Sequence, residues 1–165
     1  MCQSVSSVSV SLPTTAVTEA LAAKIARGLP DELAGWKLLL RGELGAGKST
    51  FARAMLHAMG FEGLVPSPTY TLVEPYKIAD NIIYHIDLYR IVSMDELQFL
   101  GWTDMQDGLM MIEWPERVPG LANEADAIIE LRYEGDGRDA LVTATSERAQ
   151  ASVLASARNF DSDDY

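Results

Sequence analysis

Cysteine is almost missing from this sequence: Cys2 is the single thiol in 165 residues. One thiol closes no internal disulfide, and with only His57 and His85 as histidines no Cys/His set has zinc-ligand spacing. Long apolar runs are lacking as well. None reaches the roughly 18 residues of a membrane-spanning helix, so no membrane association is expected. The opening MCQSVSSVSVSLPTT lacks the basic and apolar blocks of a secretory signal and the arginines of a transit peptide. A cytoplasmic location is the expectation. Cations are scarce: 13 Lys+Arg stand against 24 Asp+Glu, for a net charge of −11. An acidic surface is a poor match for a nucleic-acid backbone, which argues against DNA binding and against gripping RNA without a partner. What is abundant is apolar: 48% hydrophobic residues with 22% charged is a globular mixture, long enough for one domain with a real core.

Val17, Leu21, Ile25 and Leu29 follow helical spacing after Pro13-Thr14-Thr15 and stop at Gly28-Leu29-Pro30. Lys37-Leu38-Leu39-Leu40 reads as a buried strand, and residues 48–59 favour a helix ended by Gly60. Residues 70–77 and 81–88 read as two strands. Ser93 with Glu96 predicts a capping box on a helix over 94–100. Leu109-Met110-Met111-Ile112 is a second buried strand, 126–134 and 139–145 a hairpin, and 147–158 a last helix. Residues 1–11 are expected to be a flexible N-terminus, 12–158 one domain, and 159–165 a disordered acidic tail. The pattern predicts an α/β fold, a sandwich whose mixed parallel and antiparallel sheet is flanked by helices.

The segment Gly42-Glu43-Leu44-Gly45-Ala46-Gly47-Lys48-Ser49 is a full match to G-x-x-x-x-G-K-[ST], with an apolar strand before it and a helix after it. Glycines let such a loop turn tightly and aim successive N–H groups at phosphate oxygens, and the helix that follows adds its partial positive charge. Lys48 can then reach the β- and γ-phosphates, and the Ser49 hydroxyl can ligate Mg²⁺. A carboxylate is needed beside that metal. Asp87 and Glu113 both close apolar strands, where ligands bind in α/β sheets, and either could serve. Ser67-Pro68-Thr69-Tyr70-Thr71 offers a hydroxyl-bearing loop. Thr69 could sense the γ-phosphate, or the segment could be a Pro-stiffened turn. His85 reads as a sheet residue and His57 as an exposed helix residue, neither with a catalytic role. No N-K-x-D guanine-reading motif is present, and no arginine-bearing lid is visible.

GELGAGKST, SPTYTLVEPY, HIDLYR, DELQFLG and IEWPER, in this order, resemble the TsaE (YjeE) family of small bacterial P-loop ATPases, over about residues 12–145. The resemblance implies an Mg²⁺-dependent ATPase acting with the TsaD–TsaB pair in tRNA threonylcarbamoyladenosine formation, tRNA being met through that complex. By position it makes Lys48 the phosphate lysine, Ser49 and Glu113 the Mg²⁺ ligands, and Asp87 the residue that positions attacking water. Nucleotide contacts fall on Glu43, Leu44, Gly45, Ala46, Gly47, Lys48, Ser49, Thr50, Thr69 and Arg138, with Trp114 beside the metal acid. Glu43 and Ser49 stand where the family usually has Asp and Thr. The residues leave two other readings: a small-molecule phosphotransferase, and a non-catalytic module that uses ATP to order a docking loop.

Overall fold

A computed structural model describes residues 5–165; residues 1–4, with Cys2, lie outside the described residues. Strand β2 (Lys37–Arg41) is buried over its first four residues, as its apolar run requires of a strand covered on both faces. It runs parallel to β5 (Leu109–Glu113) on one side and to β6 (Ala127–Glu134) on the other. Strand β4 (Asn81–Asp87) continues the parallel arrangement beyond β5, and β3 (Val73–Ile78) closes that edge antiparallel. On the other side β7 (Gly137–Ala144) returns antiparallel on β6, and β1 (Ser6–Leu12) pairs antiparallel with β7. The order is β1-β7-β6-β2-β5-β4-β3, one mixed sheet of seven strands, as the sequence predicts in class.

Alternation along the central strands sends side chains into two cores. Leu38, Leu40 and Met111 face helices α1 (Thr15–Gly28) and α2 (Lys48–Ala58), whose buried faces include Leu21, Ile25, Phe51 and Met55. Leu39, Met110 and Ile112 face the opposite way, towards α3 (Met94–Phe99) and the 3₁₀ turns around it. Thr14 caps α1, its hydroxyl accepting the Val17 amide at 3.3 Å. The C-terminal helical segment combines α4 (Glu147–Ala149), a π-helical turn (Gln150–Leu154) and α5 (Ala155–Arg158), with Val153, Leu154 and Ala157 buried in the α1/α2 core.

Several expectations are corrected. Residues 6–11 are not a flexible start: they belong to β1, registered from Ser6↔Ala144 to Leu12↔Arg138, with Val10 and Leu12 turned into the core. The tail over 159–165 is not disordered but folds back. Asp161 accepts the Asp163 amide at 3.0 Å, Ser162–Asp164 make a 3₁₀ turn, and Tyr165 stacks on Phe160 at 5.4 Å. Residues 70–72 are turn rather than strand, because the Leu72 amide bonds back to the Pro68 carbonyl at 2.7 Å. The capping box at α3 is shifted by one: Glu96 accepts from the Val92 amide at 3.1 Å, and Ser93 makes no side-chain cap.

Candidate functional site

The phosphate-type loop springs from the C-terminal end of β2, between β5 and β6, and its last residue before α2 is Gly47 at φ 110. Positive φ recurs at Gly42 and Gly45, and space is short there too. A Cβ on Gly42 would lie 2.7 Å from the Leu131 carbonyl of β6, and one on Gly45 would lie 2.8 Å from the Tyr133 hydroxyl. Gly42 and Gly45 are therefore favoured by both backbone angle and close packing, and Gly47 by its backbone angle. The loop is further tied to the β6–β7 hairpin, since Tyr133 Oη donates to the Leu44 carbonyl at 2.8 Å and Arg138 to the Gly45 carbonyl at 3.2 Å.

Lys48 opens α2 and is only 5% exposed. Its ammonium donates to the carbonyls of Gly42 at 2.6 Å and Glu43 at 2.9 Å, and lies 4.0 Å from the centre of the Trp114 ring. Burial pulls its pKa below the ordinary lysine value, against the opposing charges of Glu113, Glu116 and Asp87. The next residue, Ser49, donates to Glu113 at 2.9 Å (Oε1) and 3.2 Å (Oε2). Glu113 ends β5 and Asp87 ends β4, and the two are register partners on neighbouring parallel strands. Both carboxylates are nearly inaccessible, at 2% and 4%. Two like charges side by side need positive charge close by, and Lys48 supplies part of it. Asp87 accepts from the Tyr89 amide at 2.8 Å on one oxygen and from the Thr69 hydroxyl at 3.2 Å on the other; Thr69 also bonds the Ser67 hydroxyl at 2.9 Å. The Pro-flanked turn thus holds its hydroxyls against the strand-end acid. Trp114 follows Glu113 in the left-handed region (φ 57), and its ring meets Tyr89 at 4.9 Å. A non-glycine residue in that region commonly marks a functional constraint.

One cavity of about 250 Å³ gathers Leu44, Gly45, Lys48, Ser49, Thr50, Thr69, Asp87, Glu113 and Trp114, so residues separated by up to 70 positions converge. A second cavity of about 190 Å³ lies across the loop and shares Gly45, Gly47 and Thr50 with the first. Ala46 and Arg138 line this second one. Glu43 lines neither: its side chain is exposed, and only its carbonyl takes part, as acceptor for Lys48 and for the Ala46 amide. Asp136 and Gly137 line the second cavity too, and the sequence reading missed the walls formed by Leu12 to Thr15 and Thr18. Their only local signal, Pro13-Thr14-Thr15, reads as the start of a helix.

Ser49 and Glu113 are hard oxygen donors held within hydrogen-bond distance of each other, a set that fits Mg²⁺. Among the described residues no cluster of three or more Cys, His, Asp or Glu could hold a metal on its own. Mg²⁺ characteristically takes one or two protein ligands and completes its shell with phosphate oxygens and water, so a set of this size is compatible with Mg²⁺ carried by a nucleotide.

Comparisons with known proteins agree with this architecture. The crystal structure of Bacillus subtilis YdiB superimposes with a TM-score of 0.71 over 95% of this chain and 98% of that one, at 23% identity, a likeness of fold. A tRNA threonylcarbamoyladenosine biosynthesis protein TsaE from Haemophilus influenzae is 48% identical over 102 residues, which cover 61% of this chain and 65% of that protein, just under two thirds of its length. The Rickettsia felis protein of the same name is 34% identical over 142 residues, covering 83% of this chain and 81% of its own. The family model described as threonylcarbamoyl adenosine biosynthesis protein TsaE matches residues 12–140, from the end of β1 to the middle of β7. With most of its length matched by that model, the chain belongs to the TsaE family.

Proposed function

We propose that this chain is an Mg²⁺-dependent ATPase that serves formation of threonylcarbamoyladenosine in tRNA, acting in the cytoplasm with the TsaD–TsaB pair. The observation that carries the reading is the convergence on one loop of Lys48, the Ser49–Glu113 pair and the Thr69–Asp87 pair. In this reading the amides of residues 43–49 and the N-terminus of α2 hold the terminal phosphates. Lys48 turns its ammonium from the Gly42 and Glu43 carbonyls to the β- and γ-phosphate oxygens. The nucleoside lies across the loop in the second cavity, between Arg138 and residues 12–15. Ser49 and Glu113 hold Mg²⁺, which when bound neutralises charge on the β- and γ-phosphates. Asp87, kept in place by Thr69 and the Tyr89 amide, orients a water for in-line attack on the γ-phosphorus. The bond to the β-phosphate oxygen breaks and ADP and inorganic phosphate leave. Hydrolysis is slow in the isolated chain and becomes useful in the complex, which contributes the tRNA contact that a net charge of −11 does not favour.

The test is tRNA modification by TsaD–TsaB followed over several turnovers with this protein present as wild type, present as Lys48→Ala, or absent. Repeated turnover is expected with the wild type alone. Equal turnover in all three would overturn the role.

A further inference from the structure

We propose that His85 is a positioning residue whose Nε2–H fixes the orientation of Glu113 for its work on a divalent cation. The inference rests on the reading of Ser49 and Glu113 as the Mg²⁺ residues. His85 lies in β4, two residues before Asp87 and on the same face of the strand, and its register partner is Met111, two residues before Glu113. The imidazole therefore reaches forward to the neighbouring strand's last side chain. Its Nε2 is 2.9 Å from Glu113 Oε2.

Geometry assigns the proton. A carboxylate accepts, so Nε2 must donate. The other ring nitrogen, Nδ1, is fully enclosed and has no partner among the described residues, and the side chain as a whole is about 1% exposed. An unsatisfied buried nitrogen costs about 1–3 kcal/mol. An apolar side chain of similar volume would fill this place in the core without that cost, so packing alone does not account for an imidazole here. The Nε2–H bond does. Glu113 is gripped from two sides, its Oε2 by His85 of β4 at 2.9 Å and both its oxygens by the Ser49 hydroxyl of α2, at 2.9 Å (Oε1) and 3.2 Å (Oε2). The His85 bond on Oε2 opposes rotation of the carboxylate about its last bond and favours the setting in which Oε1 faces Ser49. His85 does not itself line the cavity that Glu113 and Ser49 line. It acts through Glu113. Such outer hydrogen bonds to metal residues are commonly worth about 10- to 100-fold in metal affinity.

Three substitutions in the full chain separate positioning from packing. His85→Gln keeps an N–H donor at the reach of Nε2, His85→Asn moves the donor back towards the Nδ1 position, and His85→Leu removes it. Binding of a non-hydrolysable ATP analogue is measured by calorimetry with excess Mg²⁺ and with a chelator, and folding is checked by thermal unfolding. The gain in affinity from Mg²⁺ is expected to fall at least ~10-fold in Asn and Leu, to be largely kept in Gln, and the affinity in chelator to be unchanged in all three. An unchanged Mg²⁺ gain in Asn and Leu would overturn the inference. So would equal loss in all three, or loss that is as large in chelator. If the Leu variant does not fold, the Gln and Asn pair decides. A wild-type chain without any Mg²⁺ gain would bring down the metal assignment itself along with this inference, whereas a wild-type gain that His85 does not influence would remove only the role of His85.

Discussion

At the residue scale, Lys48 has four neighbours of different kinds: two carbonyls, an indole face and, through α2, the Ser49–Glu113 pair. Replacing it with alanine removes the ammonium held against the Gly42 and Glu43 carbonyls, a cation able to follow developing negative charge on phosphate. Lys48→Ala is expected to lower ATP hydrolysis by about 100-fold or more in a phosphate-release assay; a wild-type rate would take Lys48 out of the reaction. The two strand-end acids should fail differently. Glu113→Ala is expected to weaken nucleotide binding about tenfold with Mg²⁺ and hardly at all in chelator, because a metal ligand matters only with metal present. Asp87→Ala should leave binding nearly intact and lower kcat by about 100-fold, since the proposed reading puts it at the water. Calorimetry paired with steady-state rates separates the two, and identical losses in both assays would undo the division of roles. These acids were legible in the sequence because an Asp or Glu closing a short, mainly apolar strand lies at the ligand-binding end of an α/β sheet. Residues 12–15, which line the second cavity, were not, because they contribute shape at a strand-to-helix corner.

At the scale of elements, the stretches that were legible are those whose pattern is local: β2 and β5 as short apolar runs, α2 as a helix opened by a glycine loop. β1 was not, since its serines and valines alternate like a strand but nothing local shows what they pair with, and the partner β7 lies more than 120 residues away. The C-terminal helical segment is secured by an ion pair that the sequence also hides. Arg148 reaches Asp126 at 2.7 and 2.9 Å, and Asp126 accepts the Lys37 amide at 3.0 Å, so one carboxylate ties α4 to the start of β2. Burial pushes the Asp126 pKa up, but the bonds from Arg148 and the Lys37 amide outweigh it and hold the carboxyl below its ordinary value. A carboxyl whose pKa is lower in the folded chain contributes stability above its unfolded value, near pH ~3.9, and loses that contribution as the pH falls through the folded value. Asp126→Asn should therefore cost about 1–2 kcal/mol at neutral pH, a figure kept low because the Arg148 side chain is 46% exposed. Urea unfolding should show the gap between variant and wild type closing as acidification protonates Asp126. A gap that stays constant down to acid would mean that the pair contributes nothing through charge.

At the scale of the whole molecule, charge and topology divide the work. No helix among the described residues is long and apolar enough to cross a membrane. The excess of acids leaves a surface that repels polyanions, so a filter or mobility assay at physiological salt should detect no tRNA bound by the chain alone and binding only once TsaD–TsaB is added. Tight binding by the isolated chain would reverse that reading. The central β2 carries the phosphate-type loop, with acids from β4 and β5 on one flank and the β1–α1 corner with Arg138 of β7 on the other, so strands from both halves of the sheet line the two cavities that flank the loop.

The indole of Trp114, with an ammonium 4.0 Å from its ring centre, gives this arrangement an optical consequence. Trp36 is buried beside Arg148 and Trp102 packs against the other core, so exchanging both for phenylalanine leaves one tryptophan, placed at the loop. Drawing the Lys48 charge away from that ring changes the field on its excited state. Its fluorescence would thus register the arrival of a triphosphate directly, without a dye.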